Sequence, residues 1–293
     1  MTGFSMSATP HSASEPREHL DTAIEREYRR ARFLRRRDLT LAILTPIVLL
    51  IAWELAARTG LLDPRLFTPP SAIAVRGWQM IVTGTLWIDV FSTVARLIAG
   101  FVSGAILGIV VGLLMGVWRP LRAALDPTFT ALYALPKIAI LPLLLLIFGL
   151  TETPKILSVT ISVFFVVQIN TLAGIMQIDS RITEAARAYK ASGFRLFRYV
   201  LVPAALPSIM TGLRVSAGMA VIVITAVEFV ASNNGLGYLI WNSWQLFQPD
   251  SMFVGLIAVS LIGAISTGLV ILLERAMLPW RHGRGPRKKG KTT

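Results

Sequence analysis

Long apolar runs, separated by short polar or basic stretches, dominate the chain. A helix crosses a bilayer with about 20 mostly apolar residues. Runs of that kind are predicted at 39–57, 93–117, 155–177, 208–231 and 252–274, and a further run at 128–149 is interrupted by prolines. The pattern predicts an all-α polytopic membrane protein with six transmembrane helices. A polar tail over 1–38 precedes a transmembrane body over 39–274, and a second tail covers 275–293.

Two spans carry distinctive patterns. The second contains Gly100, Gly104, Gly108, Gly112 and Gly116, a four-residue period that lines one helix face with hydrogen and predicts close approach of another backbone. The third reads ALPKIAILPLLLLIFGL. Pro136 and Pro142 each remove a backbone donor and clash with the preceding turn, so a kink or break is expected there. Irregular backbone at membrane depth is tolerated only inside protein or beside water, so this span should face the interior of an assembly. The long 58–92 connection holds Phe67-Thr68-Pro69-Pro70-Ser71 and then an amphipathic stretch through Trp78 and Trp87, suited to the outer interface.

Composition agrees with a membrane protein. The 293 residues have a mean hydropathy of +0.64 and are 15% charged, against roughly 25% in soluble domains. The formal charge of +13 concentrates at the ends. Arg26, Arg29, Arg30, Arg32, Arg35, Arg36 and Arg37 precede the first span; Arg281, Arg284, Arg287, Lys288, Lys289 and Lys291 follow the last. Positive residues stay inside, so both termini are expected in the cytoplasm against lipid. Arg119 and Arg122 are expected inside too, whereas Thr151–Pro154 and Asn233–Asp250 are poor in Lys and Arg and suit the outside. No DNA-reading module accompanies the basic tails, so no nucleic-acid partner is expected. The polar start lacks the apolar core of a cleaved signal peptide. Cysteine is absent, and His11, His19 and His282 all fall in the tails, which argues against metal ligation, disulfides and enzymatic chemistry.

Between the fourth and fifth spans lies EAARAYKASGFRLFRYVLVPAALP, Glu184 to Pro207. Asp179 or Ser180 can cap a helix, and Glu184 complements its dipole. Ile182, Ala185, Ala186 and Tyr189 form one apolar stripe, leaving Arg187 and Lys190 on other faces. Gly193 offers a stop, Phe194, Phe197 and Leu201 build a second stripe, Pro203 is expected to end that helix, and Pro207 suits the first turn of span five. The resulting elbow over 179–207 fits either a loop resting on headgroups or a partner-docking element.

Glu184-Ala185-Ala186 followed by Val200-x-Val202-Pro203 resembles the EAA loop of ABC importer permeases. From Leu66 to Trp280 the resemblance extends through Pro69-Pro70-Ser71, Leu125-Asp126-Pro127, Leu135-Pro136, Leu141-Pro142 and Gly235-Leu236-Gly237-Tyr238. This set is similar to the permeases of the nitrate, sulfonate and taurine group. Lys190 stands where the family has glycine and Val202 where it has leucine, so a displaced or reshaped turn is expected, with Gly193 taking over.

The resemblance implies a type I importer permease of the bacterial inner membrane. It implies docking of a separate ATPase on Glu184, Ala185, Ala186, Tyr189, Lys190, Gly193 and Pro203, delivery by an extracytoplasmic solute-binding protein, and a second permease subunit in a homodimer. The chain has no Walker A motif, so no cofactor is expected and ATP would belong to the partner. The implied solute is a small anion such as a sulfonate, taurine or nitrate, or alternatively a heterocyclic vitamin precursor. A secondary transporter is the competing class, but no internal repeat or mid-membrane coupling acid supports it.

Ionisable groups within spans are functional candidates. Lys137, beside Pro136, fits two uses: attracting an anion to the pathway or inner gate, or satisfying carbonyls freed by the prolines. With Pro142, Arg214 near the inner end of span five and Glu228 near its outer end, it completes the candidate pathway set; Arg214 could equally snorkel or pair. Glu54 suits an interfacial or pairing role, and Gln168 and Asn170 suit hydrogen bonds between helices.

Overall fold

The computed structural model describes residues 15–63 and 66–279. The side chains of Arg26, Arg29, Arg30, Arg32, Arg35 and Arg36, together with His11, His19, His282 and the basic residues from Arg281 to Lys291, lie outside what is described. All regular elements among the described residues are helical. The chain divides into two compact units, Met1–Pro70 and Ser71–Thr293.

The first unit holds α1 (Glu15–Arg58). Its Thr40–Arg58 portion is long and apolar enough to cross a membrane. Near the end of that portion Arg58 donates from Nε to Glu54 at 2.5 Å, one helical turn away, so Glu54 takes a pairing role.

The second unit contains α2 (Pro70–Val82), α3 (Thr85–Val117), α4 (Arg119–Ala134), a 3-10 turn (Lys137–Ile140), α5 (Leu141–Phe148) and α6 (Thr153–Met176). It continues with α7 (Ser180–Ala188), α8 (Gly193–Leu196), a π-helical turn (Phe197–Leu201), α9 (Val202–Ala231), α10 (Leu236–Gln245) and α11 (Pro249–Met277). Its core is a sandwich in which α6 lies between α3 and α9. Val159, Val163 and Val167 of α6 are fully buried, as are Ala220, Ile224 and Val227 of α9.

The glycine ladder of α3 explains how α6 comes so close. A Cβ on Gly104 would fall 2.5 Å from the Thr160 carbonyl oxygen, and one on Gly108 would fall 2.8 Å from that of Phe164. Gly100, Gly112 and Gly116 face Val159, Thr171 and Ile175 at 2.6–2.8 Å in the same sense. In lipid, burial of apolar surface does not drive helices together, so backbone approach and dispersion contacts supply the attraction. On the opposite side of α6, Gly212 of α9 admits Asn170, whose Cβ would lie 2.7 Å from an added methyl.

Three expectations from the sequence need correction. The helix that carries the second span begins at Thr85, eight residues before the predicted start at 93, because the polar residues Asp89, Thr93 and Arg96 are satisfied by partners in other elements. The third predicted span breaks as expected, into α4 and α5 bent by 96°, but at one proline rather than two. The break sits at Leu135-Pro136, where Leu135 is extended (φ −67°, ψ 136°) as a residue before proline should be. Pro142 lies in the first turn of α5, where its missing N–H costs nothing. Finally, Pro203 does not end a helix: helix runs without a break from Gly193 to Ala231, with Pro207 inside it. The wider π turn over Phe197–Leu201 carries the chain into Pro203, which occupies the first turn of α9.

Within a single chain the bent pair is mostly uncovered. No residue of α4 is buried, and Leu146 of α5 is 83% exposed. Phe129 attaches α4 to α6 through edge-on contacts with Phe164 and Phe165, at 5.6 and 5.9 Å between ring centres.

Candidate functional site

The segment between α6 and α9 folds into an exposed elbow. Asp179 caps α7, its Oδ1 accepting from the Arg181 amide at 2.9 Å. Ile182, Glu184, Ala185 and Tyr189 are exposed and Ala186 is half-buried, so most of the apolar stripe of α7 is left uncovered by the described residues. At the other end the Lys190 amide donates to the Arg187 carbonyl at 2.8 Å, and the Ala191 amide to that of Ala186 at 3.0 Å. These two bonds form a Schellman close, which requires a left-handed residue at the position after the cap. Lys190 is that residue, at φ 60°. The turn is therefore not displaced to Gly193: the lysine adopts the conformation glycine would hold, and Gly193 adds a second left-handed residue at φ 54°. Phe194 projects from the start of α8, 71% exposed, its ring centre 6.2 Å from that of Phe197.

At the opposite end of α9 a polar cluster ties four elements together. Arg96 of α3 is buried. Its Nε and Nη2 donate to the two oxygens of Glu152, in the turn before α6, at 2.5 and 3.0 Å. Its Nη1 donates to Glu228 Oε1 of α9 at 2.7 Å and to the Asn234 carbonyl at 2.9 Å, and its Nη2 also reaches Asn234 Oδ1 at 2.5 Å. Lys155 of α6 adds a second cation to Glu152 at 2.8 Å. The two cations, Arg96 first, hold the Glu152 carboxyl down at about 2.

Glu228 is fully buried. Besides Arg96 it accepts from Thr93 Oγ1 at 2.9 Å and from the Gly237 amide at 2.9 Å. The sequence placed Glu228 in the candidate pathway set; in this structure both its oxygens are occupied and it has no exposure, so it ties α9 to α3 and α10. The arrangement also explains Gly235-Leu236-Gly237. A Cβ on Gly235, whose φ is 110°, would fall 2.5 Å from Glu228 Oε1, and one on Gly237 would fall 2.6 Å from the Glu228 Cβ. The Gly235 and Leu236 amides meanwhile donate to Asp89 and Thr93 of α3 at 2.7 and 2.8 Å.

Arg96 was missed in the sequence because it falls at the edge of the predicted span. The available signal was its cost: an arginine in an apolar helix demands a partner. The partners themselves, 56 and 132 residues away, leave no local trace.

The remaining candidates lie apart. Lys137 Nζ donates to the Tyr133 carbonyl at the end of α4 and sits 4.3 Å from the centre of the Tyr133 ring, so it occupies an acceptor exposed by the break. Arg214 of α9 forms an ion pair with Glu274 of α11. Gln168 donates across to Met115 Sδ of α3 at 3.2 Å, whereas Asn170 bonds the Val166 carbonyl of its own helix at 2.7 Å rather than a neighbouring helix.

Residues 104–279 match the family described as Binding-protein-dependent transport system inner membrane component. The putative aliphatic sulfonates transport permease SsuC of Escherichia coli is 37% identical over 235 residues, covering 80% of this chain and 89% of the relative. The taurine permease TauC of the same organism is 31% identical over 252 residues (84% and 91%). The riboflavin permease RibX of Chloroflexus aurantiacus is 36% identical over 236 residues (80% and 88%). In fold the chain is similar to a chain of the MetNI methionine ABC transporter in an inward-facing conformation, with a TM-score of 0.57 at 20% identity, covering 66% of this chain and 98% of that one.

Proposed function

This chain belongs to the binding-protein-dependent transport system inner membrane components and is a multi-pass inner-membrane permease of an ABC importer, and from that premise we propose that it imports a small organic sulfonate. The relatives named for aliphatic sulfonates and taurine support this solute class. The solute arrives on an extracytoplasmic binding protein, and the permease works as a homodimer with two ATPase subunits.

Coupling runs through the elbow. The carrying observation is that the elbow's second arm is continuous with the fifth span, 39 residues from Gly193 to Ala231. A helix of about 1.5 Å rise per residue transmits a push on Phe194 along its whole length as a rigid body. The uncovered stripe of α7, with Glu184, Ala185 and Tyr189, supplies the surface on which the ATPase seats.

The test is co-purification with co-expressed ATPase subunits, followed by uptake of labelled taurine and ethanesulfonate. The wild-type chain retains the ATPase and Glu184→Arg loses it while reaching the membrane in equal amount. Equal retention by both would sink the docking assignment, and absence of sulfonate uptake in the wild type would sink the solute. A riboflavin-like solute is the second reading, favoured by the RibX similarity. It predicts riboflavin uptake where the sulfonates fail.

A further inference from the structure

On the footing of the sulfonate reading, we propose that a polar pocket between the start of α6 and the turn after α9 is a subsite for a zwitterionic aminosulfonate, the class to which taurine belongs. Lys155 and the Asn234 carboxamide take the sulfonate, and Glu152 takes the ammonium.

The pocket encloses about 280 Å³, near the roughly 300 Å³ at which small-molecule sites begin, and so suits a compact solute. Glu152 and Lys155 form one wall, and Ser232, Asn233 and Asn234 form the other. The walls adjoin Thr151–Pro154 and Asn233–Asp250, the stretches that the charge pattern assigns to the outside. The pocket therefore opens on the side where a binding protein delivers.

The polar groups of the pocket are held in place without being used up. An ammonium carries three donors. That of Lys155, a residue only 4% exposed, spends one on Glu152 at 2.8 Å, and among the described residues nothing takes the other two. Asn234 Oδ1 accepts from Arg96, which can only donate, so the carboxamide is fixed with its NH2 group free. The Glu152 side chain is 57% exposed, and Arg96 and Lys155 fill three of the about four acceptor positions of its carboxylate. Donors for a sulfonate and an acceptor for an ammonium thus line one small space.

The charge balance selects between solutes. In the network that holds these walls two cations, Arg96 and Lys155, stand among three carboxylates, Glu152, Glu228 and Asp89. A plain anion gains nothing from that sum. A solute that carries both charges meets a partner at each end, and burial of the Lys155 ammonium strengthens its half of the pairing.

The experiment titrates the permease–ATPase complex in lipid nanodiscs, without binding protein, with taurine, ethanesulfonate and ethylamine, and reads binding by calorimetry. Ethanesulfonate lacks the ammonium of taurine, and ethylamine lacks its sulfonate. The wild type should bind taurine about tenfold more tightly than either, the worth of one charge-assisted hydrogen bond. Glu152→Gln should erase the preference over ethanesulfonate and keep that over ethylamine, and Lys155→Gln should do the reverse. A general loss of structure cannot produce opposite changes. Asn234→Asp keeps the oxygen that Arg96 uses and sets a charge against the sulfonate, so taurine should bind about tenfold more weakly to it, which tests the pocket even where the other variants fail to assemble. Equal affinity of the wild type for all three compounds leaves the pocket to water and overturns the subsite. Variants at Glu152 and Lys155 that lose the same preference overturn it equally. If the complete transporter with its binding protein takes up neither taurine nor ethanesulfonate, the sulfonate reading itself is what fails.

Discussion

Arg96 commits all five of its guanidinium N–H groups, two to Glu152, one to Glu228 and two to Asn234. A buried charge is tolerable only when its hydrogen bonds are complete, because the low-dielectric interior magnifies both pairing and loss of pairing. Removing the guanidinium would strand Glu228, which has no exposure to water. Arg96→Gln should therefore cost about 3–5 kcal/mol, read as thermal unfolding in detergent. The acidic side of the cluster also sets a pH response. Glu152 titrates at about 2 in the fold against an ordinary 4.5, so its pairing contributes stability that is fully present above pH 4.5 and lost as the pH falls toward 2. Melting temperature should drop more steeply across that window in the wild type than in Glu152→Gln. Equal slopes would show that the pair contributes no pH-dependent stability.

Helix by helix, the molecule uses glycine for two different ends. Along α3 the glycines remove volume so that α6 can approach, whereas Gly235 serves a backbone with φ 110° packed on a carboxylate. Gly218 in α9 has nothing within 4 Å of its would-be Cβ and serves neither end. Gly104→Ala should destabilise the α3–α6 pair by about 1–3 kcal/mol through overpacking. Gly218→Ala should be neutral or stabilising by up to about 1 kcal/mol, since alanine restricts the unfolded chain. Equal effects of the two, measured by reversible unfolding in micelles, would refute the packing account. The elbow shows a different economy of backbone: Lys190 accepts the left-handed conformation because the Schellman bonds of α7 over-determine it.

For the molecule as a whole, the arrangement separates an end where a charged network locks α3, α6, α9 and α10 from an end where an uncovered elbow feeds directly into the fifth span. The charge pattern assigns the locked end to the outside and the elbow to the cytoplasm. Because the chain lacks cysteine, single cysteines report that assignment cleanly. A membrane-impermeant maleimide should label Asn233→Cys in intact cells and Ser192→Cys only after permeabilisation; both positions are exposed. The reverse pattern would invert the molecule.

Five of the spans, the glycine face of α3 and the proline break in the third apolar run were legible in the sequence, because apolar length, four-residue spacing and a missing amide act over a single turn or helix. The Asp179 cap was legible for the same reason. The start of α3, the passage of helix through Pro203 and the partners of Arg96, Glu228 and Arg214 were not. Each depends on which elements meet: Glu274 lies in another helix from Arg214, and Thr93 and Glu228 come together across 135 residues. Periodicity tells a helix which face to hide but not against whom, and only the packed bundle decides which buried charge finds its counter-ion.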